Sequence, residues 1–225
     1  MRAPSVLAAA GLLFFKFCRK RLNDREQGKQ YQANLKAWDR YSKEHPEKFL
    51  DRQDLLTDFF YGYASKFESK LFFGGAPLTA ASNACEVIAL YNSLVALSIN
   101  RPFPELLRVF SGKGICAHGL FGTDPAKIRD YALSLGLDVK EFKGRHIEEL
   151  LRSDDDSPAY IFTSFNKGCS PFSMIHTLCV TRSKDGFIRH NDYAGSKTYP
   201  TLEEAIYGYN NSLSRCIYVL SLNSR

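Results

Sequence analysis

Residues 85–97 read CEVIALYNSLVAL, and this stretch decides the fold class. Val87, Ile88, Leu90, Tyr91, Leu94, Val95 and Leu97 cover more than one face of a 3.6-residue repeat, which predicts a helix buried at the centre of a domain. The first residue of that helix is a cysteine. A thiol at the positive end of a helix, beside a histidinium, is stabilised as the thiolate and can attack a carbonyl carbon. Glu86 complicates this: its first-turn carboxylate favours the helix, but its charge opposes a thiolate next door, so the direction of its side chain matters.

Upstream, residues 74–84 (GGAPLTAASNA) combine two glycines, a proline and small residues, which predicts a tight loop feeding the helix. Before it, Asp51 is placed to cap a helix carrying Leu55, Leu56, Phe59, Phe60, Tyr63 and Phe67 toward a core. Residues 23–45 are polar with Leu35, Trp38 and Tyr41 three apart, a narrow apolar stripe on a helical arm that Pro46 ends. The run SVLAAAGLLFF, closed by Lys16, Arg19, Lys20 and Arg21, is too short to span a bilayer comfortably. It also lacks the small-residue region that follows a cleaved signal. Three readings stay open for residues 1–21: a membrane anchor, whose following basic residues would favour a cytoplasmic body at the inner face of the membrane, peripheral contact with anionic lipid, or a helix packed on the domain.

Downstream, a short helix with Leu106, Leu107 and Phe110 leads to SGKG, which lacks the full phosphate-loop pattern. Asp124 and Pro125 start a helix over PAKIRDYALSLGL that Gly136 ends. DVKEF, PAYIFTSF, MIHTLCVT, GFIRHND and CIYVLSL read as strands, with helices near His146 and over TLEEAI. Helices come first and most strands later, so the expected class is α+β. The expected segments are 1–22 (hydrophobic and basic), 23–73 (helical extension) and 74–225 (the domain that would carry chemistry).

A chain of 225 residues with 44% apolar composition buries a core without metals or disulfides. The cysteines at 18, 85, 116, 169, 179 and 216 show no zinc-ligand spacing, and a reducing compartment suits them better than a secreted disulfide framework. The acidic DDDSP reads as a solvated turn, so no metal and no cofactor is expected. A net charge of +6 is partly local to the N-terminal cluster, and without a basic stripe interleaved with aromatics no nucleic-acid partner is expected.

His176, in MIHTLCVT, is the candidate proton carrier, with Met174 and Leu178 on its face of the strand. Asp192 is the candidate to orient its ring, with Asn191 as the competing orienter because register at a strand end is open. His118, a loop histidine with no comparable acidic partner in a convincing strand register, is a weaker alternative, and His190 is weaker still.

Over residues 74–221 the chain resembles the papain-like cysteine peptidases, especially the bacteriocin leader-processing and related bacterial branch. The resemblance rests on the Cys-bearing helix, GTDPAKIRDYALSLGLDVKEF, YIFTSF, MIHTLCVT, GFIRHNDY and TLEEAI, and most specifically on the sixteen residues from His176 to Asp192. It implies a papain-like fold with the helix packed on an antiparallel sheet. It also implies Cys85 as nucleophile, His176 as proton carrier, Asp192 as orienter, and a peptide or protein substrate. The implied activity is a cysteine peptidase cleaving a peptide or leader-peptide amide through a thioester. Transglutaminase-like acyltransferases share the same chemical order. The family usually carries glutamine six residues before the cysteine, and the bacterial branch glycine after it; this chain has Thr79 and Glu86. Asn83 and Thr79 are the oxyanion candidates, and a catalytically degenerate peptide-binding protein is the competing expectation.

Overall fold

The computed structural model describes residues 24–62, 78–116, 122–153, 155–165, 175–192, 195–208 and 216–224. The helix at its centre, here α3, runs Cys85–Ala96, and every residue from Cys85 to Leu94 is buried. Burial on all sides follows from its apolar surface. Its two interior polar side chains are satisfied: the Asn92 amide accepts from the Leu50 N–H (2.8 Å) and donates to the Leu50 carbonyl (3.1 Å), and Ser93 bonds back to the Ala89 carbonyl (2.8 Å).

The other helices are α1 (Asp24–Glu44), α2 (Ala80–Asn83), α4 (Phe103–Lys113), α5 (Pro125–Ser134), α6 (His146–Arg152) and α7 (Leu202–Tyr207). The strands are β1 (Asp138–Lys143), β2 (Ala159–Phe165), β3 (Ile175–Ser183), β4 (Gly186–Asp192), β5 (Gly195–Tyr199) and β6 (Cys216–Asn223). They form one six-stranded sheet of order β1-β6-β2-β3-β4-β5 in which each described pairing is antiparallel. The class is α+β.

Alternation along the central strands sorts their side chains into two cores. Ala159, Ile161 and Cys179, with Tyr218, Leu220 and Leu222, pack with α3. Tyr160, Phe162, Leu178, Val180 and Val219 pack on the opposite face with Ile147 and Leu150 of α6 and Ala205 and Ile206 of α7. The sheet is thus a middle layer, with helices on both sides.

Residues 24–62 belong to the α3 core: Ala37, Leu50, Leu56 and Phe59 are buried in it. Trp38 sits among Tyr41, Phe59, Tyr91 and Phe103 at 5.8–6.3 Å between ring centres. Asn34 braces the arm by donating to the Phe60 carbonyl (3.0 Å) and accepting the Phe60 N–H (2.8 Å). The inward stripe of α1 is therefore the buried Asn34 and Ala37 with the half-buried Trp38 and Tyr41, while Leu35 lines an outer surface hollow with Lys36 and Asp39.

The helix expected from Asp51 does not form over the described residues. Asp51 is instead hydrogen-bonded to β4, and only a 3-10 turn, Gln53–Leu55, follows it. Leu56 and Phe59 are buried while Leu55 and Phe60 are exposed, and Phe60 makes an antiparallel bridge to Thr79. Tyr63 and Phe67 lie outside the described residues, as do residues 1–23. SGKG is not a loop, because α4 continues through Lys113. The predicted Asp124 cap is present, its carboxylate accepting the Ala126 N–H at 3.0 Å, and Gly136 ends the helix at φ +81°. Among the described residues no helix is long and apolar enough to cross a membrane.

Candidate thiol site

Cys85 is the first residue of α3, and Ala84 ahead of it offers no side-chain cap. The helix end favours a thiolate by a modest amount, on the order of 1 kcal/mol. Two effects oppose it, and together they prevail. Burial pushes the thiol well above its ordinary value, and the Glu86 carboxyl adds to the shift. The thiol donates to Glu86 Oε2 at 3.4 Å, so the Glu86 side chain is turned toward the sulfur. The backbone of Thr177, one residue beyond His176, works against that rise.

Glu86 is itself buried, and burial raises its carboxyl to about 7; hydrogen bonds from its own N–H, the Cys85 thiol and the Thr123 N–H partly offset that rise. Thr123 N–H donates to Oε2 at 3.4 Å. Gly122 makes this approach possible: its φ is +68°, and a Cβ there would lie 2.9 Å from Oε2. The Thr123 hydroxyl is bonded to the Tyr61 phenol, and Asn83 Nδ2 donates to the Tyr61 carbonyl at 3.0 Å. GTDP therefore does more than start α5. Its first two residues fold over the carboxylate beside the nucleophile candidate.

His176 is buried at 4% exposure near the start of β3, and its Nε2 lies 3.3 Å from the Asn191 backbone carbonyl. A carbonyl only accepts, so Nε2 carries the proton and Nδ1 the lone pair. Desolvation lowers the imidazole to about 4, against smaller opposing effects of the Asn191 bond and the Asp192 charge. The resting pair is thus a neutral thiol and a neutral imidazole. Regular pairing of Ser164 with His176 and of Phe162 with Leu178 roots His176 on the Leu178 face of β3, away from α3. Thr177 and Cys179 face the helix, where Ser93 and Cys179 are 3.3 Å apart. The helix that Cys85 opens packs against this face of β3.

Asp192 is engaged elsewhere. Its Oδ2 accepts from Arg189 Nε at 3.1 Å and from Arg189 Nη2, with Lys197 at 3.5 Å. It acts on His176 through its charge, while Nε2 of the ring bonds the Asn191 carbonyl. The Asn191 side chain, weighed as an orienter, bonds instead to Gln53. Thr79, an oxyanion candidate, is the N-cap of α2, its N–H donating to Ser82 Oγ at 3.2 Å, and Asn83 is committed to Tyr61. His190 bonds Asp51 at 2.8 Å and Thr181 at 2.9 Å on the helix-facing side of the sheet. His118 and Met174 lie outside the described residues.

Four contributing residues had weak sequence signals. Arg189 lies three residues before Asp192 on a strand, where alternation would separate them. Gln53 lay in a stretch with helical apolar spacing. Gly122 and Thr123 read as an ordinary approach to a helix. Among the described residues no group of three His, Cys, Asp or Glu side chains is arranged to hold a metal ion. No family model, curated protein or solved structure matches the chain.

Proposed function

We propose that the chain is a thiol acyl-transfer enzyme of papain-like architecture, with Cys85 as nucleophile and His176 as proton carrier, acting on a peptide or protein amide. One observation carries this reading. Cys85 opens a buried helix that packs against β3, the strand whose second residue, His176, has its Nε2–H held by the Asn191 carbonyl. The α3 helix packed on an antiparallel sheet, with the histidine on a central strand, supports the papain-like layout.

Because thiol and imidazole are both neutral at rest, His176 would act as a general base during attack, not as half of a preformed ion pair. The step requires the His176 ring, rooted on the other face of β3, to turn about the start of the strand until Nδ1 reaches the thiol; the sulfur–carbon bond then forms as the thiol proton passes to Nδ1 and the carbonyl electrons move to oxygen. Nδ1 then returns the proton to the leaving nitrogen as the C–N bond breaks, leaving a thioester. Water resolves it in a peptidase; an amine resolves it in a transglutaminase-like acyltransferase. The basic residues after the N-terminal apolar run fit a protein working in the cytoplasm at the inner face of a membrane.

A second reading has its own support. Glu86 holds the thiol proton and Arg189 holds Asp192, an arrangement suited to a catalytically degenerate peptide-binding protein. Incubation with a mixed peptide pool, with and without a primary amine, followed by mass spectrometry separates the readings. New termini that vanish in Cys85→Ala indicate a peptidase, and amine adducts an acyltransferase. Retention of peptides without any product indicates the degenerate binder, and neither product nor retention rejects all three.

A further inference from the structure

Gln53 touches both halves of the proposed site. Its Nε2 donates to the carbonyls of Ala80 (3.0 Å) and Ala81 (3.3 Å) in α2, the turn that runs directly into Cys85. Its Oε1 accepts from Asn191 Nδ2 at 2.9 Å, and its backbone N–H donates to Asn191 Oδ1 at 3.0 Å. Asn191 is thus gripped by a reciprocal pair of hydrogen bonds. It needs such a grip, because its φ is +59°, a left-handed conformation that costs a non-glycine residue about 1 kcal/mol or more. A register break in β4–β5 pairing between Arg189 and Asp192 falls at the same place.

The flanking residues tighten the clamp. Asp51 Oδ1 accepts both His190 Nδ1 (2.8 Å) and the Asn191 N–H (3.3 Å), and Phe49 stacks on the His190 ring at 4.2 Å. Leu50 between them is fixed to Asn92 of α3. Residues 49–53 therefore fasten the end of β4 to the Cys85 helix. The carbonyl so positioned is the one that accepts from His176 Nε2.

We propose that Gln53 is a positioning residue that fixes the Asn191 carbonyl, and through it the His176 tautomer, relative to the Cys85-bearing turn. This rests on the reading of His176 as proton carrier, since the lone pair must sit on Nδ1 for that role. A glutamine suits the task because one amide group supplies the donor for α2 and the acceptor for Asn191.

The test reads the imidazole directly. In the full chain labelled with nitrogen-15, the ring nitrogens of His176 are assigned by comparison with His176→Gln and followed by two-dimensional NMR without substrate. Wild type is expected to show a single Nε2–H tautomer, and Gln53→Ala a mixture of the Nε2–H and Nδ1–H forms. Asn191→Gly keeps the left-handed backbone but deletes the side-chain grip, and it should show the same loss if Gln53→Ala fails to fold. An unchanged single tautomer in either folded variant would overturn the proposal, as would an Nδ1–H tautomer in wild type. Because no turnover is measured, an inactive protein refutes the enzyme reading while leaving this one decided by the spectrum.

Discussion

At the scale of single residues, the Cys85–Glu86 pair governs protonation at the site. Glu86 has a folded pKa of about 7 against an ordinary 4.5, so the folded state holds its proton more tightly. Its stabilising contribution is complete below pH 4.5 and is lost as the pH rises through about 7. His176 runs the other way: with a folded pKa of about 4 against 6.5, its contribution is complete above 6.5 and lost as the pH falls through about 4. Glu86→Gln removes the first slope. Chemical denaturation across that window should show the variant gaining on wild type by roughly 2–4 kcal/mol as pH rises. The Cys85 thiol, freed of the carboxyl, should also alkylate at lower pH; an unmoved alkylation profile would count against the Cys85–Glu86 contact. Gly122→Ala is expected to cost about 1–3 kcal/mol, since it sets a Cβ against Glu86 Oε2 at a positive φ. Cys85 and His176 were legible because apolar spacing and strand pattern frame them. The turn of Glu86 toward the sulfur was not, because a rotamer in the first helical turn is settled by what packs above it, here Gly122 and Thr123.

At the scale of elements, the end of β4 is where local pattern and tertiary structure diverge. Alternation would set Arg189 and Asp192 on opposite faces of β4. The register break and the left-handed Asn191 between them bring the two side chains together as a buried ion pair. Arg189 also donates to the Ala205 carbonyl (2.9 Å) and lies over the Tyr199 ring, so it ties β4 to α7 and β5. Arg189→Ala should lose about 3–5 kcal/mol in urea unfolding, because it strands a buried carboxylate. Arg189→Met combined with Asp192→Leu should lose much less, and a double variant as unstable as the single one would show that the charges are not the main effect. The sixteen-residue spacing thus leads from His176 to a strand end that the ring touches through the Asn191 carbonyl, while the Asp192 side chain bonds Arg189. The central helix and the strands β1, β2, β3, β4 and β6 follow from apolar periodicity. The helix expected from Asp51 fails because Asp51 and Gln53 bond to β4 instead of continuing a helix, which no local pattern encodes. The short, mostly polar β5 offers no apolar alternation to read.

At the scale of the whole molecule, α1 and residues 49–62 are packed into the core that holds α3, so the stability of the arm and the geometry of the thiol are linked. Asn34→Ala, which removes both bonds to Phe60, should cost about 1–3 kcal/mol and lower the thermal midpoint. A variant within 0.5 kcal/mol of wild type, the usual range for surface changes, would show the arm to be only loosely docked. The order helices first, strands later made the α+β class legible; what it left out was how the extension reaches across to β4, since contacts between residues some 140 positions apart leave no local trace. The central claim is that Cys85 and His176 act as one acyl-transfer pair. It is tested most directly by the rate at which a peptidyl electrophile, such as an acyloxymethyl ketone, labels Cys85 in wild type and in His176→Gln, with the modified cysteine mapped by mass spectrometry. The account predicts labelling at Cys85 that slows by about 100-fold or more in the variant. Equal rates in the two proteins, or no labelling of Cys85 in either, would contradict it.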